Sequence, residues 1–190
     1  MLTDAQLLQA YDAQVRRECD WTRMRREVLP RVVRHVLTGI GSGGGLVSWS
    51  DLTAQNADAE IAAQVAYFGA LNSEFEWKYY THDQPADLPQ RLLAHGFTSE
   101  NVRESILVAE MDALPKDYWS MDVSAVSRIL TIEGVDAIVR MESEVWQEEV
   151  NGFAPGMKYD LVHHPEHLSV FAVWDCGRVV SAAWTHYLVG

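Results

Sequence analysis

The residues that could do chemistry in this chain are histidines, acids and a glycine run. His163, His164 and His167 stand in the string HHPEH. A metal needs ligands that converge from a rigid element, and Pro165 breaks the helix that would put two of them on one face. The string is also not HExxH, so it reads as a surface loop and no metal site is expected. Gly39, Gly41 and Gly44 formally fit GxGxxG within the run GIGSGGG. A dinucleotide loop follows a strand and opens a helix, whereas here a helix is expected before it and a strand after it. The run therefore reads as a flexible linker or helix stop. No GxSxG elbow frames a serine nucleophile, and Cys176 sits in a turn with no histidine near it. Glu142, Glu144, Glu148 and Glu149 crowd one helix. Such carboxylates can deprotonate or grip an amine, although a solvated acidic face is the plainer reading.

These residues belong to a chain of 190 with a net charge of −12, which argues against a nucleic-acid partner. The charge is uneven: the first 40 residues carry seven Arg against five acids, and the remainder eight bases against 22 acids. The Arg-rich stretch reads as a solvated helix face paired to Glu18, Asp20 and Glu27, with Arg16 and Arg25 exposed. Binding of a phosphate or an acidic partner is the alternative. Two cysteines, Cys19 and Cys176, make neither a disulfide framework nor a zinc site. The start MLTDAQLLQ has no basic or apolar leader, and no apolar run reaches spanning length, so a soluble cytoplasmic protein with no membrane partner is expected.

The elements that must position these residues follow from periodicity. Thr3 and Gln6 form a capping box, and the first helix is expected to run through RRECDWTRMRRE. Pro30 restarts it, with Val32, Val33, Val36 and Leu37 on its apolar face. Residues 46–49 read as a strand and 58–71 as a helix with Ile61, Val65 and Phe68 inward. Residues 74–80 are an aromatic strand with Phe75, Trp77 and Tyr79 on one face. Asp83 is placed as N-cap of a short helix carrying Leu88, Leu92 and Leu93, which Gly96 ends in the left-handed region. Residues 105–111 read as a strand and 112–123 as a linker. Beyond it come a strand at 126–132, a helix at 134–150 with Val145 and Trp146 inward, a loop at 151–167, and a hairpin of 168–174 with 179–188. Trp77, Trp146, Trp174 and Trp184 are most simply core.

The string FEWKYYTHDQPADLPQRLLAHGF, followed by SILVAEM, resembles the end of an acetyltransferase domain of the GNAT superfamily. The later strand, helix, loop and hairpin are similar to the opening of a second such domain. The chain thus resembles a bacterial two-module GNAT-like protein, truncated in its second module. The resemblance implies an α/β fold with a GNAT-like mixed sheet and flanking helices, assembled from two half-modules. Their bounds are 1–44 helical, 45–112 βαβαβ, 113–123 linker and 124–190 β-α-loop-hairpin. It also implies transfer of an acetyl group from acetyl-CoA to a small-molecule or peptide amine. The substrate-cleft candidates are Trp49, Ser50, Tyr80 and His82 near the ends of two parallel strands, and also Glu142 and Trp146. The family's pyrophosphate loop, Gln/Arg-x-x-Gly-x-Gly/Ala, is absent after residues 46–49, where SDLTAQNADAE stands instead, and no such loop follows the hairpin. Impaired or absent acyl transfer is therefore expected. The alternative is a non-catalytic ligand-binding or assembly module. Exposed strand edges point to a homodimer, and the hairpin is expected to join the amino-terminal sheet within one chain or across a dimer.

Overall fold

The computed structural model describes residues 1–38, 44–99, 104–150 and 152–187. Among the described residues it is a mixed α/β protein with two sheets and five α-helices. The chain divides into two compact units, Met1–Ala113 and Leu114–Val189.

In the first unit, helix α1 (Asp4–Tyr11) starts at the expected capping box. Thr3 Oγ1 accepts from the Gln6 amide at 3.3 Å, and Gln6 Oε1 accepts from the Thr3 amide at 2.9 Å. A π-helical turn, Asp12–Arg17, continues it. The helix expected beyond is replaced by two strands, β1 (Met24–Val28) and β2 (Val32–Leu37), paired antiparallel from Met24↔Leu37 to Val28↔Val33. Residues 32 to 36 are all buried. Five consecutive buried positions suit a strand covered on both faces, not an amphipathic helix. Arg34 and His35 inside that run hide the strand from a hydrophobicity reading.

Strand β3 (Gly45–Ser50) pairs antiparallel with β2, with a bulge at Val33/Arg34. Gly45 is required there: an added Cβ would lie 2.3 Å from the His35 carbonyl and 2.6 Å from the Phe68 ring. Helix α2 (Ala57–Ala70) crosses to β4 (Glu76–Trp77), which runs parallel to β3 as expected, pairing Leu46↔Glu76 and Val47↔Trp77. The aromatic strand is therefore far shorter than 74–80, and Tyr79 lies 39% exposed. Helix α3 (Leu88–Ala94) follows, with Asp87 at its N-cap instead of Asp83. Gly96 takes the left-handed conformation (φ +93°), and the Phe97 amide donates back to the Leu92 carbonyl at 3.1 Å. Phe97 then meets Phe75 edge-on at 5.1 Å. Val32, Val47, Leu52, Ile61, Trp77, Leu88 and Leu92 form the core; Leu93 is exposed. Residues 105–111 form no strand, and Leu107 is 93% exposed.

The first unit ends in a 3-10 turn at Met111–Ala113, and the second opens with another at Lys116–Ser120. Strand β5 (Val126–Ile129) leads to helix α4 (Ile132–Trp146), capped by Thr131, whose Oγ1 accepts from the Gly134 amide at 3.2 Å. The expected loop contains a helix, α5 (Ala154–His163); Pro155 lies in its first turn, where a missing N–H does no harm. Strands β6 (Leu168–Asp175) and β7 (Arg178–His186) form the expected hairpin. Cys176 and Gly177 both have positive φ, as a two-residue hairpin turn demands. The sheet order is β5-β6-β7, separate from β1-β2-β3-β4, so the hairpin does not join the amino-terminal sheet within this chain. Val135, Ile138, Met157, Leu168 and Val170 lie in the core. Val145 and Trp146 are each 65% exposed instead of inward, and Trp174 and Trp184 are also exposed. Trp184 stacks on Phe153 at 5.1 Å.

Candidate functional site

Strands β3 and β4 hold together only briefly. The last backbone bond between them is from the Lys78 amide to the Val47 carbonyl, at 3.0 Å. One residue further, the Ser48 carbonyl accepts instead from Arg16 Nε at 3.1 Å. The rest of the guanidinium is equally engaged. Nη1 donates to Asp12 at 2.8 Å and lies 3.2 Å from His82 Nε2. Nη2 donates to both Asp83 oxygens at 2.9 Å. The guanidinium also lies over the Tyr80 ring, 4.1 Å from its centre. The Arg16 and Asp83 side chains are 2% and 3% exposed, so the expected exposed Arg16 is corrected to a buried one. A buried guanidinium needs a carboxylate and filled donor positions, and both are present. Arg25 is exposed as expected, its side chain 60% accessible.

Each partner is held by its own element. Asp83 belongs to a tight loop in which its amide donates to the Tyr80 carbonyl at 2.9 Å, and the Tyr80 amide donates to Asp83 Oδ2 at 3.0 Å. Ser48 Oγ donates to the Arg16 carbonyl at 2.7 Å, tying the π turn to β3. His82 Nε2 lies 3.0 Å from Asp12 Oδ2. The Tyr11 and Tyr80 hydroxyls meet at 2.9 Å. Burial, reinforced by the bond to Tyr80, pushes the Tyr11 phenol above its ordinary pKa.

Of the residues expected at this cleft, Tyr80 and His82 contact Arg16 directly. Trp49 lies under Arg17, whose guanidinium is 4.4 Å from the indole centre. Ser50 does not join them; it is buried opposite Val32, and its Oγ meets no hydrogen-bond partner among the described residues. Glu142 and Trp146 lie on α4 of the second unit and bond each other, Trp146 Nε1 donating to Glu142 Oε2 at 2.9 Å. The sequence reading missed Arg16, Asp12, Tyr11 and Asp83. Its one local signal was the four-residue spacing of Asp12 and Arg16.

Other chemistry is weaker. Cys19 is buried, and burial together with Asp20 pushes its thiol up to about 11, away from nucleophilic use. His167 Nε2 lies 3.4 Å from Glu166, and among the described residues no group of three or more His, Cys, Asp or Glu is arranged to hold a metal ion. Of the run GIGSGGG, residues 39–43 lie outside the described residues. Among the described residues no helix is long and apolar enough to cross a membrane. No family model, curated protein or solved structure matches the chain, so the geometry of the first unit is what a functional reading must rest on.

Proposed function

We propose that the chain is a GNAT-like acyltransferase relative whose first unit works as a non-catalytic binding or assembly module. The likeness is supported by element order: three antiparallel strands, a helix, and a two-residue fourth strand paired in parallel. Acetyl-CoA would need free amide groups and positive potential at the start of α2.

The observation that carries the non-catalytic reading is what occupies that start. The Asn56 and Ala57 amides both donate to the Thr53 carbonyl, at 3.2 and 3.0 Å, and the Thr53 amide donates to Asn56 Oδ1 at 2.8 Å. Asp58 and Glu60 sit in the first turn, Asp58 paired with Arg91 and Glu60 3.8 Å from Arg31. Carboxylates already complement the helix dipole there and would repel a pyrophosphate. Calorimetry of the full chain with acetyl-CoA is expected to give no saturable heat at micromolar concentrations.

Acyl transfer is the second reading, favoured by the meeting of Tyr80 and His82 just beyond β4. In it an amine nitrogen bonds to the thioester carbonyl carbon, the carbon–sulfur bond breaks, and the ammonium proton passes through a base to the departing thiolate. Saturable acetyl-CoA binding, with acetylation of a presented amine seen by mass spectrometry, would establish this reading and sink the first.

A further inference from the structure

We infer that the groove where β3 and β4 part is a guanidinium receptor, and that α1 with the π turn is a strap held in it by Arg16. The inference stands apart from the acyl-transfer question, since it uses neither α2 nor any cofactor.

Most of the receptor exists without the strap. The Ser48 carbonyl is left free because β4 stops pairing at Val47. Asp83 is a carboxylate sealed at 3% exposure and oriented by its own loop through the Tyr80 amide. The Tyr80 ring supplies a flat face at stacking distance. A carbonyl, a carboxylate and an aromatic plane meeting at one buried point match the donors, charge and flatness of a guanidinium. They match an ammonium poorly, because a point charge cannot reach the carbonyl, both carboxylate oxygens and the ring face together. With Arg16 seated the Asp83 side chain is 3% exposed; with the strap lifted, the carboxylate is left without its guanidinium partner.

The strap, in contrast, is lightly attached. No residue of α1 is buried, and in the π turn Arg16 is the buried one. Besides Arg16, the ties include the Tyr11–Tyr80 hydroxyl pair, the Asp12–His82 pair at 3.0 Å, Arg17 over the Trp49 ring, Ser48 Oγ to the Arg16 carbonyl, Arg26 Nη1 to the Arg17 carbonyl at 3.0 Å, and the Leu2 amide to Glu110. Cys19, 1% exposed, anchors the chain just beyond. The π geometry is a second mark of the device, since six-residue π turns are rare and concentrate where a side chain must be aimed. The strap can open from Cys19 outward as one piece, and the vacated receptor takes the arginine side chain of a partner protein, for which a small alkylguanidinium is the simplest stand-in.

The test uses the full chain carrying Arg16→Ala. Its thermal midpoint is expected to fall. Millimolar ethylguanidinium is expected to raise that midpoint saturably, whereas ethylammonium leaves it unchanged and neither salt raises the midpoint of the unaltered chain. Equal responses to the two cations, or none to either, would overturn the receptor. Should Arg16→Ala not fold, hydrogen exchange on the unaltered chain and on Asp83→Asn decides the matter. The amides of 4–17 are expected to exchange together and faster than those of β2 and β3, and Asp83→Asn to speed them by about tenfold more than it speeds the sheet. Exchange of strap and sheet at one common rate would show that no strap exists.

Discussion

Two arginine–carboxylate pairs, one in each unit, show how much depends on burial. Arg16 and Asp83 are sealed, with side chains 2% and 3% exposed; Arg178 and Glu144 bond across the surface of the second unit at 68% and 61%. In water the ions are solvated whether or not they meet, so the surface pair changes little. In the first unit removal from water costs each ion several kcal/mol, and only the filled set of partners offsets it. The cores differ in the same sense. The first unit buries Arg16, Arg34, His35, Gln64 and Asp83, whereas the second buries Asp160 and Ser169 among otherwise apolar side chains. Arg34 repeats the solution on another element, bonding Glu27 at 2.5 Å and Gln64 at 3.0 Å with its guanidinium over the Tyr67 ring.

The contrast breaks most visibly at Asp83. Asp83→Ala leaves a buried unpaired guanidinium and is expected to cost about 3–5 kcal/mol in urea denaturation. A loss under about 1 kcal/mol would put this pair in the class of surface pairs.

A smaller effect is expected at His35, which is fully buried and whose ring nitrogens meet no partner among the described residues. Burial, with Arg26 adding and Asp20 opposing, holds its pKa below the ordinary value. As pH falls below about 6.5 the unfolded chain takes up this proton before the folded one does, so stability falls, by at most about 1.4 kcal/mol per pH unit. Stability measured from pH 7.5 downward is expected to show this slope, and His35→Leu to flatten it. An unchanged slope in that variant would assign the proton to another group. Glu27 acts in a separate window. Burial works to raise its pKa, but bonds from Arg34 and Arg25 lower it overall, so its contribution is lost only as pH falls below about 4.5.

The smallest effect belongs to the second unit's surface. Arg178→Ala is expected to change stability by no more than about 0.5 kcal/mol, measured in the same urea titration. A loss comparable to that of Asp83→Ala would erase the distinction between the units.

Elements with a strong local signal were legible. The capping box of α1, strand β3, helices α2 and α4, the Gly96 helix stop and the β6–β7 hairpin each appear where periodicity and turn residues put them. The β1–β2 hairpin was not legible, because Arg34 and His35 interrupt its apolar run and Pro30 looked like a helix start. Helix α5 was hidden by Pro155 and Gly156, which read as loop markers. Asp83 reads as a helix cap because Pro85 follows it in what looks like a first turn; the structure uses the carboxylate for Arg16 and leaves the cap to Asp87. Of the six proposed cleft residues, Tyr80 and His82 meet on Arg16, and Trp49 lies under Arg17.

The sequence alone determined the α/β class, the alternation of β3, α2 and β4, and the positions of turns, because each depends on residues within one or two turns of chain. It also excluded a glycine-rich phosphate loop after β3. Tertiary structure alone decided which charges would be buried. Arg16 and Asp83 are 67 residues apart, and neither carries a local mark of burial. Their meeting depends on where β4 stops pairing with β3, and that is set by the packing of a whole sheet against its helices.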